Sequence, residues 1–126
     1  MAKKKRAVVA GHICVDITPV FPGKPAEGIE TVLTPGKLVH MEGVDIHTGG
    51  AVANTGLAMK ILGNDVSLMG KIGDDELGRM VLSIMDAYHS SERMLVSKDS
   101  ATSYSVVLAV PGIDRIFLHD PGANDT

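Results

Sequence analysis

His47-Thr48-Gly49-Gly50-Ala51-Val52-Ala53-Asn54-Thr55-Gly56-Leu57-Ala58 joins a strand-like run to a helix of small residues through two adjacent glycines. Glycine permits positive φ and a close approach of backbone to its neighbour. A helix start leaves N–H groups free, and Asn54 in its first turn adds two donors and an acceptor. A ligand can meet backbone here, so Gly49, Gly50 and Asn54 are candidate binding residues. The plain alternative is a tight turn with a locally bonded Asn54. Other glycine motifs fit worse. A dinucleotide fingerprint needs Gly-x-Gly-x-x-Gly, and a P-loop needs Gly-x-x-x-x-Gly-Lys-[Ser/Thr]. Here position 51 is Ala51, position 54 is Asn54, and no glycine pair has the P-loop spacing and tail.

Outward from this stretch the chain alternates strands and helices. Ala7 to Gly11 is a continuous apolar run, expected as a strand buried on both faces of a parallel sheet. Asp16 follows it by five residues, beyond the strand's carboxyl end, where ligands of open α/β sheets bind. Thr18 to Gly28, with its prolines and glycines, reads as loop. Ile29 to Val39 reads as two short strands around the turn Pro35-Gly36-Lys37. The helix from Ala51 to Leu62 places Ala53, Leu57 and Ile61 on one stripe and ends at Leu62-Gly63-Asn64. Gly56 inside it costs about 1 kcal/mol against alanine, which implies close helix-to-sheet packing. Asp65 to Gly70 reads as a strand, and Asp75 to Tyr88 as a helix with the stripe Leu77, Met80, Val81, Ile84 and Tyr88. Asp74 and Asp75 suit the start of that helix. Arg93 to Ser97 is a short strand, and Ser103 to Val110 pairs with Arg115 to His119 around Pro111-Gly112-Ile113-Asp114. The pattern is α/β with an antiparallel insertion.

Composition narrows the function. The 126 residues suffice for one modest core. Aromatic content is 3% without tryptophan and net charge is −3, which speaks against stacking platforms and polyanion binding, so no nucleic-acid partner is expected. The cluster Lys3-Lys4-Lys5-Arg6 precedes too short an apolar run for a signal peptide. No segment approaches the ~20 apolar residues of a membrane span, so the expectation is a cytoplasmic protein without a membrane partner. One cysteine, Cys14, excludes a disulfide framework and reads as a small buried hydrophobe. His12, His40, His47, His89 and His119 are scattered without the spacing of a zinc helix, so no metal site is expected.

Several motifs in order resemble the N-terminal half of the ribokinase-like (PfkB) family of carbohydrate kinases. Ala10-Gly11-His12-Ile13-Cys14-Val15-Asp16 resembles the family's opening strand and sugar-binding aspartate, and Gly49-Gly50 through Asn54 its glycine-pair motif. Leu62-Gly63 and Met69-Gly70-Lys71-Ile72-Gly73-Asp74-Asp75 match the rest of its N-terminal signature. His119-Asp120-Pro121-Gly122-Ala123-Asn124 resembles the segment that closes the sugar pocket. The resemblance implies a Rossmann-like ribokinase-type sheet spanning 1–126, with a small β-lid insertion at about 18–47 that folds over the sugar and forms a homo-dimer face. It implies Asp16, Gly49, Gly50, Asn54, Thr102, His119 and Asn124 as substrate-binding residues. For His119 the residues alone leave a structural role equally open.

Two departures matter. Cys14 stands where members often carry asparagine, and Ala51 where some carry lysine. Cys14 speaks against ribose-type recognition, and Ala51 against a strict ribokinase and toward a fructokinase-like or keto-sugar-kinase-like pocket. The family's catalytic aspartate lies in a Gly-Ala-Gly-Asp motif that this sequence lacks. The expectation is therefore the sugar-binding part of an ATP-dependent kinase, truncated before the ATP-binding half. ATP and Mg2+ would serve the full-length parent, bound by no residue present here; no residue here is catalytic, and this chain alone is expected to be inactive. A non-catalytic sugar-binding or dimerisation module and part of a nucleoside kinase are the alternatives. A sheet left with an open apolar edge follows from the same reading.

Overall fold

The computed structural model describes residues 5–126. Lys3 and Lys4 of the basic cluster lie outside the described residues. The chain forms β1 (Arg6–Ala10), β2 (Cys14–Pro19), β3 (Val44–Gly49), a π-helical turn (Val52–Leu57) running into α1 (Ala58–Ile61), β4 (Asp65–Met69), β5 (Lys71–Gly73), α2 (Glu76–Ala87), β6 (Leu95–Ser97), β7 (Tyr104–Leu108) and β8 (Ile116–Asp120).

Two sheet regions share one core. β1 pairs in parallel with β4, and β5, which continues β4 past Gly70, pairs in parallel with β6. Ile13, Val15, Val52, Val66, Leu68, Ile72, Val81, Met85 and Met94 close the space between strands and helices. β1 has no other strand partner among the described residues, and Val8 on it is 62% exposed. The strand expected to be buried on both faces is thus open on one.

The second sheet is four-stranded, in the order β3-β2-β7-β8, with β2 and β7 parallel and the outer pairs antiparallel. Asp16 lies in the middle of β2 rather than in a loop beyond β1. Pairing register sorts its two faces. One row carries Ile46, Ile17, Val106 and Leu118; the next, on the opposite face, carries His47, Asp16, Ser105 and His119.

Local chemistry explains where the sequence reading missed. Ile29 to Val39 is not a hairpin. Ile29–Thr31 is a 3-10 turn, in which Thr31 Oγ1 donates to Gly28 O (2.6 Å) and Thr34 Oγ1 to Glu30 O (3.2 Å). These side-chain bonds give the backbone an alternative to a ladder. The Pro35-Gly36 turn does form, with Gly36 at φ 79° and Lys37 N–H on Thr34 O, but no strands flank it. Val32 and Val39 instead line a small cavity with Phe21 and Val110, and Leu38 is exposed. Residues 18–47 therefore contribute the end of β2 and most of β3 to the four-stranded sheet, and its other half comes from β7 and β8.

The first helix opens with a π turn, which carries more residues per turn than an α-helix. Val52, Ala53 and Gly56 face inward, and Ile61, expected on the buried stripe, is 67% exposed. Gly56 packs directly on Leu68, whose methyl occupies the place of a Gly56 side chain. Gly56→Ala would gain about 1 kcal/mol of helix propensity and lose about 1–3 to overpacking of a buried Leu68. The expected net is a destabilisation of up to about 2 kcal/mol in urea unfolding; a stabilised variant would show that the helix does not sit this close to β4. In α2 the buried line runs Gly78, Val81, Met85, one position round from the expected Ile84 and Tyr88. Those two line an open groove with Ile46, Leu57 and Ile61.

Candidate functional site

The polar face of the four-stranded sheet meets the turn after β1 and the glycine pair after β3. Gly49 lies against the Asp16 carboxylate, so any side chain at Gly49 would collide with it. Gly50 has φ 88° and rests on the carbonyl oxygen and ring of His12. The His12 ring lies 5.5 Å from the His119 ring, tilted by 40°. His119 Nδ1 is 2.8 Å from Ser105 Oγ. Ser105 is the register partner of Asp16. Asp16, Gly49, Gly50, His12, His119 and Ser105 therefore close a ring around one end of the sheet's polar face. Beside it opens a cavity of about 420 Å³ lined by Gly11, His12, Lys71, His119 and Asn124, among others.

Burial and charge tune the ring. The Cys14 thiol donates to Asp16 Oδ1 at 3.4 Å. Burial first, and then the neighbouring Asp16 charge, push that thiol up to about 12. Cys14 is thus a protonated donor that steadies the carboxylate, with none of the thiolate character a nucleophile needs. The free oxygen of Asp16 accepts without donating, which suits a group that offers hydroxyl protons.

The other candidate residues lie elsewhere or are engaged. Asn54 is exposed and lines the groove between β3, the first helix and α2, with His47, Thr48 and Tyr88. Asn124 borders the cavity, but its amide is held: Oδ1 accepts Ile13 N–H (3.1 Å), and Nδ2 donates to Ile13 O (2.9 Å) and Pro121 O (3.2 Å). It stands in for a strand beside Ile13. Thr102 is buried in a structural lock. Its hydroxyl accepts Gly73 N–H (2.9 Å) and donates to Asp75 Oδ1 (2.6 Å), while its N–H reaches Asp75 Oδ2 (2.9 Å). Asp75 also caps α2 through Gly78 N–H (2.8 Å). Partial burial works to raise the Asp75 pKa, and the hydrogen bonds from Thr102 and Gly78 outweigh it, holding the carboxyl below its usual range.

His12 and Ser105 are the members of the ring that the sequence reading missed. Ser105 carried no motif; its signal was the period-2 alternation of β7, which places it on the face opposite Tyr104. His12 sits inside the opening motif, yet only the fold brings it over Gly50. Among the described residues no three His, Cys, Asp or Glu side chains gather as a metal site would require, and no helix is long and apolar enough to cross a membrane.

Comparison with known proteins agrees with the motif order. Fructokinase-1 of Oryza sativa subsp. japonica is 34% identical over 87 residues, which cover 68% of this chain and 23% of that relative. A ribokinase from Cryptococcus neoformans var. grubii serotype A, solved in complex with ADP, superposes with a TM-score of 0.68 at 24% identity, over 94% of this chain and 35% of that one. A Burkholderia thailandensis nucleoside kinase in complex with inosine gives 0.68 at 22% identity, over 94% and 37%. The chain thus matches well under half the length of these proteins, and the two solved structures share its ribokinase-type α/β fold. A family model described as pfkB family carbohydrate kinase matches residues 4–126, and the chain belongs to that family.

Proposed function

We propose that this chain is the sugar-binding part of an ATP-dependent kinase that phosphorylates a sugar hydroxyl, and that the ring around Asp16 receives the sugar. The observation that carries the reading is the close fit of the Asp16 carboxylate on Gly49, with a polar row on either side of it. Asp16 would take hydroxyl protons, the glycine pair would let the sugar approach backbone, and His119 would add a second polar contact. Asn54, Asn124 and Thr102 enter the same reading in lesser roles. Asn124 would shape the cavity wall through Ile13, Thr102 would hold the strand behind it, and Asn54 would reach the sugar only after movement of the first helix.

The ring does not fit a magnesium–nucleotide site. Mg2+ takes carboxylates together with substrate phosphates, and Asp16 is the ring's one carboxylate, with one oxygen accepting from the Cys14 thiol. ATP and Mg2+ belong in this reading to the rest of the parent protein, and the isolated chain transfers no phosphate. The outer positions of the sheet's apolar row, Ile46 and Leu118 at 37% and 53% exposed, support a homo-dimer through this lid-like sheet, and a cytoplasmic location is part of the same proposal.

The test is calorimetric titration of the complete gene product with D-fructose, D-ribose and inosine, before and after Asp16→Asn. A hydrogen bond to a charged group contributes about 1.5–3 kcal/mol, so Asp16→Asn should weaken sugar binding roughly 10–100-fold. Unchanged sugar affinity would remove Asp16 from the site, and tight binding of inosine with none of either sugar would turn the reading toward a nucleoside kinase.

A further inference from the structure

The ring offers Asp16 as an acceptor, but a sugar also carries oxygens that need a donor. Ser105 decides where one comes from. Its side chain is buried, and its hydroxyl lies 2.8 Å from His119 Nδ1. The competing acceptor beside it is the Cys14 sulfur, which accepts only weakly. A buried hydroxyl gives its proton to the better acceptor, here the ring nitrogen. A neutral imidazole whose Nδ1 accepts must carry its proton on Nε2. His119 Nε2 has no protein partner among the described residues, and the side chain lines the cavity beside the ring. The His12 ring lies beside it at 5.5 Å, tilted by 40°. The ammonium of Lys71, on the same cavity, donates to Thr126 Oγ1 at 2.6 Å.

We propose that His119 is a specificity-determining donor of this site, with Ser105 as the positioning residue that fixes its Nε2–H toward an acceptor oxygen of the sugar. The inference rests on the sugar-binding reading above and adds the donor which that reading lacks. Asp16 and His119 lie on strands separated by β7. A ligand served by both must therefore present hydroxyl protons at one end and an acceptor oxygen at the other, as a cyclic sugar does.

The experiment combines two measurements on the complete gene product. Nitrogen-15 spectra of the histidine rings should show His119 as the Nε2–H tautomer, and Ser105→Ala should mix the two tautomers. Titration with D-fructose should show about a 10-fold loss for His119→Ala and for His119→Phe. His119→Gln, which puts an amide donor at similar reach, should stay within about 3-fold of the parent. Across deoxy and ring-carba analogues of fructose, one analogue should bind the parent and His119→Ala alike, which identifies the oxygen contacted. His119 is exposed on the outer strand β8, so its variants should fold even if Ser105→Ala does not. An Nδ1–H tautomer in the parent overturns the proposal. So does fructose binding that Asp16→Asn weakens and His119→Ala leaves unchanged, and in that case the sugar site itself stands. If the parent binds no sugar at all, the sugar-site reading falls and takes this inference with it.

Discussion

Gly50→Ala should cost about 2–5 kcal/mol of folding stability, seen as a lower urea midpoint at unchanged slope. Two independent penalties add at this position. Gly50 has φ 88°, a left-handed conformation that costs an L-residue with a Cβ about 1–2 kcal/mol. A methyl there would also strike the His12 carbonyl oxygen, and that contact is with backbone, which cannot rotate away. Overpacking of this kind costs about 1–3 kcal/mol. Gly49→Ala separates fold from site, because its methyl would meet the Asp16 side chain, which can move. It should spare stability more than Gly50→Ala and still displace the carboxylate. A Gly50→Ala protein within about 0.5 kcal/mol of the parent, the scatter of ordinary surface substitutions, would mean that the glycine pair does not rest on His12.

Asp75→Ala should be comparably severe, at about 2–5 kcal/mol. Loss of the helix cap accounts for about 1–2 kcal/mol. The buried Thr102 hydroxyl and N–H, left without Asp75, account for about 1–3 more. The pH dependence has a definite sign. The folded pKa of Asp75 lies below its unfolded value, so its stabilisation is fully present above pH of about 4. It is lost as pH falls through the depressed folded value. The difference in stability between parent and Asp75→Ala should therefore narrow as pH is lowered from 5 toward 2, followed by urea denaturation at each pH. A gap that is constant or widens over that range would mean that the carboxylate is not what holds Thr102.

The strands and the long helix were legible because their signals are local. The β7–β8 hairpin around Gly112, the glycine end of the first helix at Gly63 and the Asp75 start of α2 follow from residue chemistry within a few positions. The misses have two sources, distant partners and local departures from regular geometry. Val32 and Val39 have the apolarity of a strand, but no strand lies beside them, and Thr31 and Thr34 bond locally instead. Asp16 looked like a loop residue because β2 becomes a strand only by pairing with β3 and β7, far along the chain. The π turn after the glycine pair rotates Ile61 outward, which a 3.6-residue period cannot anticipate. Of the candidate site, the glycine pair, Asp16 and His119 were readable as motif positions. Their closure through His12 and Ser105 was not, since Ser105 meets Asp16 and His119 only through the register of β7 with β2 and β8, and His12 meets Gly50 and His119 only across a turn outside that sheet.

Asn124 sets a timetable for the whole site. Its amide grips Ile13 across 111 positions of sequence, and Ile13 adjoins the His12 carbonyl on which Gly50 rests. A ribosome adding about 5–20 residues per second exposes Ile13 roughly 5–20 s before Asn124 is made. During that interval β1, β4 and the helices between them can already pack. The turn at His12 is then held by Gly11 N–H on Met69 O and by Val52 N–H on the His12 carbonyl, without Asn124. The clasp on Ile13 is therefore the last of these contacts that a growing chain can make.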